Sequence, residues 1–385
     1  MRWRIGARRS RVVSVNQQIA VTLPPREIFS PFATGAVGML ARRLARAPSS
    51  FASVVIAQPG QEPYADVPLR SVCASWGMRS HAMRYATAVG NALGGIRPVL
   101  AEVHNRPDVA LYLANRFPSL PVSLFLHNDP TGMRRARTPE DRAALLARLA
   151  SVTGVSDWVR RRFLEGIARP APVSVLPNCI DLSDTPVFLP AREPTILFAG
   201  RVVADKGADS FVRACAVALP QLPGWRAEIL GADRFGPNSP ETPFIRELRL
   251  EAAGAGVALP GWRPHTDVIE AMARAAIVVV PSRWQEPFGM TALEAMACGA
   301  ALVCSLRGGL PEVVGDAAVP IDPNDPEGMA AAIVALALDP ARRMALGQAG
   351  RARAAQFDVT YAAAALDTMR RNVLAAWPDR AGRPI

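Results

Sequence analysis

The 385-residue sequence predicts an α/β architecture of two doubly wound domains facing one another across a cleft. Three observations carry that expectation. Short apolar runs of strand length alternate with amphipathic stretches of helical length, the pattern of parallel sheets covered by helices on both faces. A proline-containing stretch, "DLSDTPVFLPAREP" (Asp181–Pro194), separates two such series and reads as an interdomain linker. Half of the residues are hydrophobic, enough for a sizeable core in a chain whose length suits two or three domains.

In the first series, "EIFSPFATGAVGMLARRLAR" reads as strand, glycine-containing turn and helix. "FASVVIAQP", "RPVLAEVHN", "PVSLFLHNDP", "SVTGVSD" and "PVSVLPNCID" read as further strands. Helices are expected over Ser80–Leu93, Arg106–Phe117, Pro139–Leu149 and Asp157–Glu165. The second series is cleaner. Strands "TILFAG", "WRAEILG", "VALPGW", "AIVVVPS" and "AALVCS" alternate with helices "ADSFVRACAVAL", "TPFIRELRLEAAGAG", "HTDVIEAMARA" and "TALEAMACG", before a short "LPEVVGD". After about Pro326 the chain turns helical to Trp377, with a break near Asp339–Pro340. The expected division is 1–185, 186–365, and a terminal helix and tail, 366–385, packing back on the first domain.

No window holds the roughly 18 consecutive apolar residues that a membrane-spanning helix needs. The start, "MRWRIGARRSRVVSVNQQIA", is basic without a continuous apolar core or a small-residue cleavage site, which predicts no secretory leader. The five cysteines are scattered and never spaced as CxxC, which predicts buried free thiols in a reducing, cytoplasmic setting rather than zinc or disulfides. Net charge is +11, and residues 1–50 alone hold nine arginines against one acid. Such a patch attracts anions. Nucleic acid is a poor candidate: zinc spacing and aromatic RNA-binding motifs are missing, and aromatics are 6% of residues. An anionic membrane face is the candidate kept, as a possible peripheral contact. In "AVGMLARRLARAP", Met39, Leu40 and Leu44 lie among Arg42, Arg43 and Arg46, which suits either a helix resting on lipid or one packing its apolar edge on the sheet.

Three pieces of the second series would meet at the carboxyl ends of its strands, where open parallel sheets bind ligands. The first is "GRVVADKG", with Gly200 at a strand end and two cations, Arg201 and Lys206, in one loop. Lys206 is the only lysine among 44 basic residues. The spacing is not that of a P-loop, and no hydroxyl follows the lysine to hold magnesium. The second is "PSRWQEPFGMTALEAMACG", in which Phe288, Gly289, Met290 and Thr291 stand at a helix start whose free N–H groups favour an anion. Glu286 precedes that turn and Glu294 follows; Thr291 to Glu294 also matches a capping box. The third is "RGGLPEVV", residues 307–314, a glycine pair that lets backbone approach a bound group.

In combination, "GRVVADKG", "EPFGMTALEAMACG" and "GGLPEVV" resemble the retaining glycosyltransferases of family 4, which have the GT-B fold. The likeness covers the second domain and extends loosely into the first through "SPFATGAVGMLARRLA", "HNDP" and "VLPNCID". It implies transfer of a sugar from a nucleotide donor to an acceptor hydroxyl, without metal or other cofactor. By this resemblance Arg201 and Lys206 grip the donor diphosphate and Glu294 holds the ribose. Glu286 and the N–H groups of Phe288–Thr291 address the sugar, and Gly35, where the family has Gly-Gly and this chain has Thr34-Gly35, faces the phosphates. A lone lysine there suits a phosphate oxygen as a compact point charge.

His127 ends an apolar strand, and the same likeness makes it a sugar contact; otherwise it would cap a turn with Asp129. His104 is a candidate on the acceptor side, and His81 and His265 read as helix-start residues. No histidine and carboxylate cluster has metal-ligand spacing. The implied acceptor is a sugar or a lipid-linked acceptor of cell-surface polysaccharide, lipopolysaccharide or glycolipid synthesis, met in the cytoplasm or at the inner membrane face. The alternative is a non-catalytic polyanion-binding protein on a degenerate version of the fold. A pyridoxal-dependent phosphorylase is disfavoured, because the one lysine sits in the diphosphate-type loop.

Overall fold

The computed structural model describes residues 17–31, 34–74, 76, 80–169, 171–186, 191–234 and 239–381, with side chains through Trp377. The basic stretch 1–16, Phe32 and Ala33 of the "SPFATG" turn, linker residues 187–190 and the tail 382–385 lie outside the described residues. The first domain runs β1 (Gln18–Thr22), α1 (Ala36–Arg46), β2 (Ala52–Ala57), β3 (Leu69–Ser71), α2 (His81–Ile96), β4 (Leu100–His104), α3 (Pro107–Arg116), β5 (Val122–Leu126), α4 (Pro139–Arg148), β6 (Ser151–Gly154), α5 (Asp157–Leu164) and β7 (Ser174–Val175). Its sheet is parallel in the order β3-β2-β1-β4-β5-β6-β7.

The second domain runs β8 (Glu193–Ala199), α6 (Ala208–Ala218), β9 (Arg226–Leu230), α7 (Pro243–Gly254), β10 (Val257–Gly261), α8 (His265–Arg274), β11 (Ala275–Val280), α9 (Met290–Ala297), β12 (Ala301–Ser305), α10 (Leu310–Val314), β13 (Val319–Ile321), α11 (Pro326–Leu338), α12 (Pro340–Ala354) and α13 (Val359–Ala381). Its sheet is again parallel, ordered β10-β9-β8-β11-β12-β13. Every residue of β4, β5, β11 and β12 is buried, as helices on both faces require. In both sheets the order turns back beside the first strand, between β1 and β4 and between β8 and β11. Ligands of such sheets bind at that switch point.

The helices and inner strands fall where the periodicity puts them. Three points differ. The first strand is "QIAVT", not "EIFS": the Pro24-Pro25 pair ends β1, and Ile28 makes only an isolated bridge to Gln58. The edge strands β3 and β13 are additional to the expected strands: each has three residues and none of them is buried, so each gives a weak signal. The membrane reading of α1 is corrected as well. Leu40 and Leu44 are buried with Phe125, Leu176, Val359 and Leu366, while Arg42 and Arg46 pair with Asp66 at 2.5 and 3.1 Å. Arg43 lies 4.0 Å from Glu294 of the second domain, and the leucines of this helix face the protein interior.

Helix α13 starts at Val359 and packs on the first domain. Backbone bridging of Asp358 to Ile180 brings the chain across. Arg370 then meets Glu102 of β4 in a two-pronged pair at 2.8 and 2.8 Å, with each side chain 3% exposed. Asp367 accepts from the Ser49 hydroxyl and the Ser50 N–H, both at 2.6 Å. Among the described residues no helix is long and apolar enough to cross a membrane.

Candidate active site

Lys206 sits in a single 3-10 turn, Ala204–Lys206, between β8 and α6. Its Nζ lies 2.5 Å from Glu286 Oε1, which also accepts the Ser282 hydroxyl at 2.6 Å. Asp205 O takes the N–H groups of Arg283 and Trp284, both at 2.9 Å, tying the two loops together. The glycine pair completes the contact. Gly308 has φ +67° and lies so close to the Glu286 backbone that a Cβ would collide with it, and Gly309 N–H donates to Glu286 O at 2.6 Å. The three sequence pieces therefore meet at one place. Arg201 stands at the end of β8, exposed, with no ion pair or hydrogen bond among the described residues.

Gly289 caps α9 with φ +108°, its Cα against Leu310, and no side chain caps this helix. The capping box of Thr291 and Glu294 does not form. Instead Glu294, 6% exposed, lies 2.9 Å from His265 Nε2, with Arg43 of the first domain at 4.0 Å. Met290 and Thr291 are half-buried at the helix start, and the Phe288 ring packs edge-on against Phe357. The Phe288 ring is thus taken up by packing.

Burial works against both charges of the Glu294–His265 pair, but their mutual attraction prevails. The carboxyl is held below the usual value of 4.5 and the imidazole above 6.5. Two signs follow. The histidine's contribution to stability is complete below pH 6.5 and fades as pH rises through its raised folded value. The carboxylate's contribution is complete above pH 4.5 and fades as pH falls through its lowered one. His265→Gln should therefore flatten the decline of unfolding free energy as pH rises above 6.5, read by urea titration. A decline equal to that of the wild type would contradict the pairing.

Gly35 is the N-cap of α1, where the Glu27 carboxylate has moved in: Gly38 N–H donates to it at 3.1 Å, and a Gly35 Cβ would touch it at 2.8 Å. Burial raises the Glu27 pKa despite these backbone hydrogen bonds. The helix end expected to face a donor phosphate thus already holds an internal carboxyl group. His127 does not cap a turn with Asp129, which instead binds Thr131 and Arg162. His127 is 9% exposed, with Nε2 2.8 Å from His104 Nδ1. It is buried in the first domain rather than projecting freely into the cleft.

The domains join beside the Glu286 loop. The Ser156 hydroxyl donates to Pro287 O at 2.5 Å, and the Glu312 carboxylate accepts from Asp157 and Trp158 N–H at 2.6 and 2.7 Å. A carboxylate of the second domain thereby caps a helix of the first. Sequence reading missed Ser156, Glu312, Arg43 and the second role of His265. Among the described residues, no group of three or more His, Cys, Asp or Glu side chains is arranged to hold a metal ion.

Two facing parallel α/β domains with cationic and carboxylate loops at one sheet's carboxyl edge define a GT-B protein. Across 94% of the chain the fold matches all of sucrose-phosphate synthase from Thermosynechococcus elongatus, with a TM-score of 0.76 at 20% identity. Anabaena HepE, solved with UDP-glucose, matches 92% of the chain and 99% of its own at a TM-score of 0.72 and 18% identity. Residues 183–353, within the second domain and the helices that follow it, match the family described as glycosyl transferases group 1. Curated relatives include D-inositol 3-phosphate glycosyltransferase of Segniliparus rotundus, 32% identical over 49% of this chain and 44% of its own length. Glycogen synthase of Mycobacterium tuberculosis is 32% identical over 52% and 47%. The chain thus spans about half the length of these curated relatives.

Proposed function

We propose that the protein transfers a hexose or related sugar from a UDP- or GDP-sugar to an acceptor hydroxyl with retention of anomeric configuration. The observation that carries this reading is the convergence of Lys206, Glu286 and the glycine pair at the carboxyl edge of the second sheet, with Arg201 unpaired beside them. The diphosphate takes Arg201, Lys206 and the N–H groups at the start of α9. Glu294 takes the ribose, and Glu286 with His127 takes the sugar. Donor binding replaces Glu286 by a phosphate as the partner of Lys206, which leaves the carboxylate free for the sugar hydroxyls.

In the reaction the departing diphosphate oxygen accepts the acceptor's proton, and the cations offset its growing charge. One cation at ~4 Å is worth about 4 kcal/mol at an effective dielectric near 20. Felt only in the transition state, that is roughly three orders of magnitude in rate. These cations play the part that a divalent ion plays elsewhere, so the proposed transfer needs no metal. Cell-surface polysaccharide, lipopolysaccharide or glycolipid synthesis supplies acceptors of the required kind.

A thermal-shift screen against UDP, GDP, ADP and their sugars tests the reading, since a ligand at 100 times its Kd adds about 2.7 kcal/mol of stability. One nucleotide should raise Tm. No response to any of them, with a response to polyanions such as heparin, would replace the transferase with a binding protein. The two glutamates should separate. Glu294→Gln should weaken nucleoside diphosphate binding, and Glu286→Gln should lower turnover more than affinity. Titration calorimetry beside kinetics checks this, and identical behaviour of the two variants would contradict it.

A further inference from the structure

Ser156 stands between β6 and α5 as the N-cap of that helix, and it is 2% exposed. A serine hydroxyl has one proton to give and two lone pairs. Its oxygen accepts from Val159 N–H at 3.1 Å, an ordinary capping bond inside the first domain. The proton goes elsewhere. It is donated to Pro287 O of the second domain at 2.5 Å. A helix cap needs only the acceptor, so the second bond calls for a separate reason.

The Pro287 carbonyl belongs to the peptide whose N–H is that of Phe288. In a trans peptide the two point in opposite directions, so an oxygen held on Ser156 turns the Phe288 N–H away from Ser156. That N–H and the next one, of Gly289, make no hydrogen bond among the described residues, although Phe288 is 4% exposed. Backbone donors left open in so buried a residue are uncommon. Neighbouring groups keep the carbonyl in place. A Cβ on Gly309 would lie 2.6 Å from Pro287 O and 3.1 Å from Ser156 Oγ, so a side chain there would push the two apart. Gly309 N–H holds Glu286 O, one peptide earlier, at 2.6 Å. Three residues on, the Glu312 carboxylate takes the Asp157 and Trp158 N–H groups, which seats the start of α5, and Ser156 with it, against the same loop.

We propose that Ser156 is a positioning residue of the donor site: its hydroxyl fixes the Pro287–Phe288 peptide so that the Phe288 N–H is presented to the donor diphosphate. With that peptide turned over, a carbonyl oxygen would face the anion in place of an N–H. The inference rests on the donor-site reading above. It makes one donor contact of the second domain depend on a hydroxyl of the first.

The test is titration calorimetry of the full-length protein with the nucleoside diphosphate selected by thermal shift, set beside Tm for each variant. Ser156→Ala removes both the cap and the donor. Ser156→Gly removes the donor but keeps most of the cap, since glycine is a far better N-cap than alanine. Both variants should bind the nucleotide about tenfold more weakly, the range for one hydrogen bond to a charged group, and by similar factors although their Tm values differ. Ser156→Thr, which keeps the hydroxyl, should stay within about threefold of wild type. Unchanged affinity in the glycine variant, or a loss that follows Tm from glycine to alanine, would leave Ser156 a helix cap and overturn its positioning role. A wild-type protein that binds none of UDP, GDP and ADP would instead overturn the donor-site reading, and the proposal with it.

Discussion

Lys206→Ala is expected to lower turnover by roughly two to three orders of magnitude, the range for loss of one charge-stabilising donor. Nothing in the core depends on this side chain. It leaves a surface turn, 26% exposed, and its Nζ reaches one partner, Glu286. The Ser282 hydroxyl remains on that carboxylate after the change, so Tm should move little while kcat falls. Lys206→Arg should recover only part, because a planar fork does not replace a compact ammonium on a phosphate oxygen. Near-normal turnover in the alanine variant would make the lone lysine an accident.

The largest effect on stability should come from the other end of the chain. Glu102→Ala leaves the Arg370 guanidinium 3% exposed and without its two-pronged partner, a change that costs about 3–5 kcal/mol. Replacing both residues together by methionine should return most of that loss, since desolvating an ion pair offsets much of its attraction. Urea unfolding of the single and double variants decides the matter. A double variant as unstable as the single one would show that the pair does more than satisfy itself. Asp367 must be watched in the same experiment, because Arg370 lies 3.8 Å from it.

How much was legible in the sequence follows from how local each signal is. Strands buried on both faces, such as "AAIVVV", announce themselves by composition, whereas the edge strands β3 and β13 have only three residues each, none of them buried. Glu286, Lys206 and the glycine pair could be read because each ends a strand in one repeating α/β series, and parallel order brings strand ends together. The partners of Glu294 could not be read that way. His265 opens another helix and Arg43 belongs to the other domain, so only the packed fold joins them. The capping-box alternative fails for a similar reason: Gly289, in the left-handed region, is the N-cap of α9, two residues before the Thr291 that the pattern requires. On α1, the alternation of Leu and Arg describes a helix edge but not what covers it. Val359 and Leu366, from the far end of the chain, do.

The central claim is that a nucleotide-sugar diphosphate binds where Lys206, Glu286 and Glu294 converge. Hydrogen–deuterium exchange of the full-length protein, with and without the nucleoside diphosphate selected by thermal shift, tests it most directly. Protection should concentrate in residues 200–207, 286–294 and 307–310, with His265 beside them, and should disappear from the first of these in Lys206→Ala. Binding that protects only the arginine-rich face of the first domain, and leaves these three loops unchanged, would contradict the account.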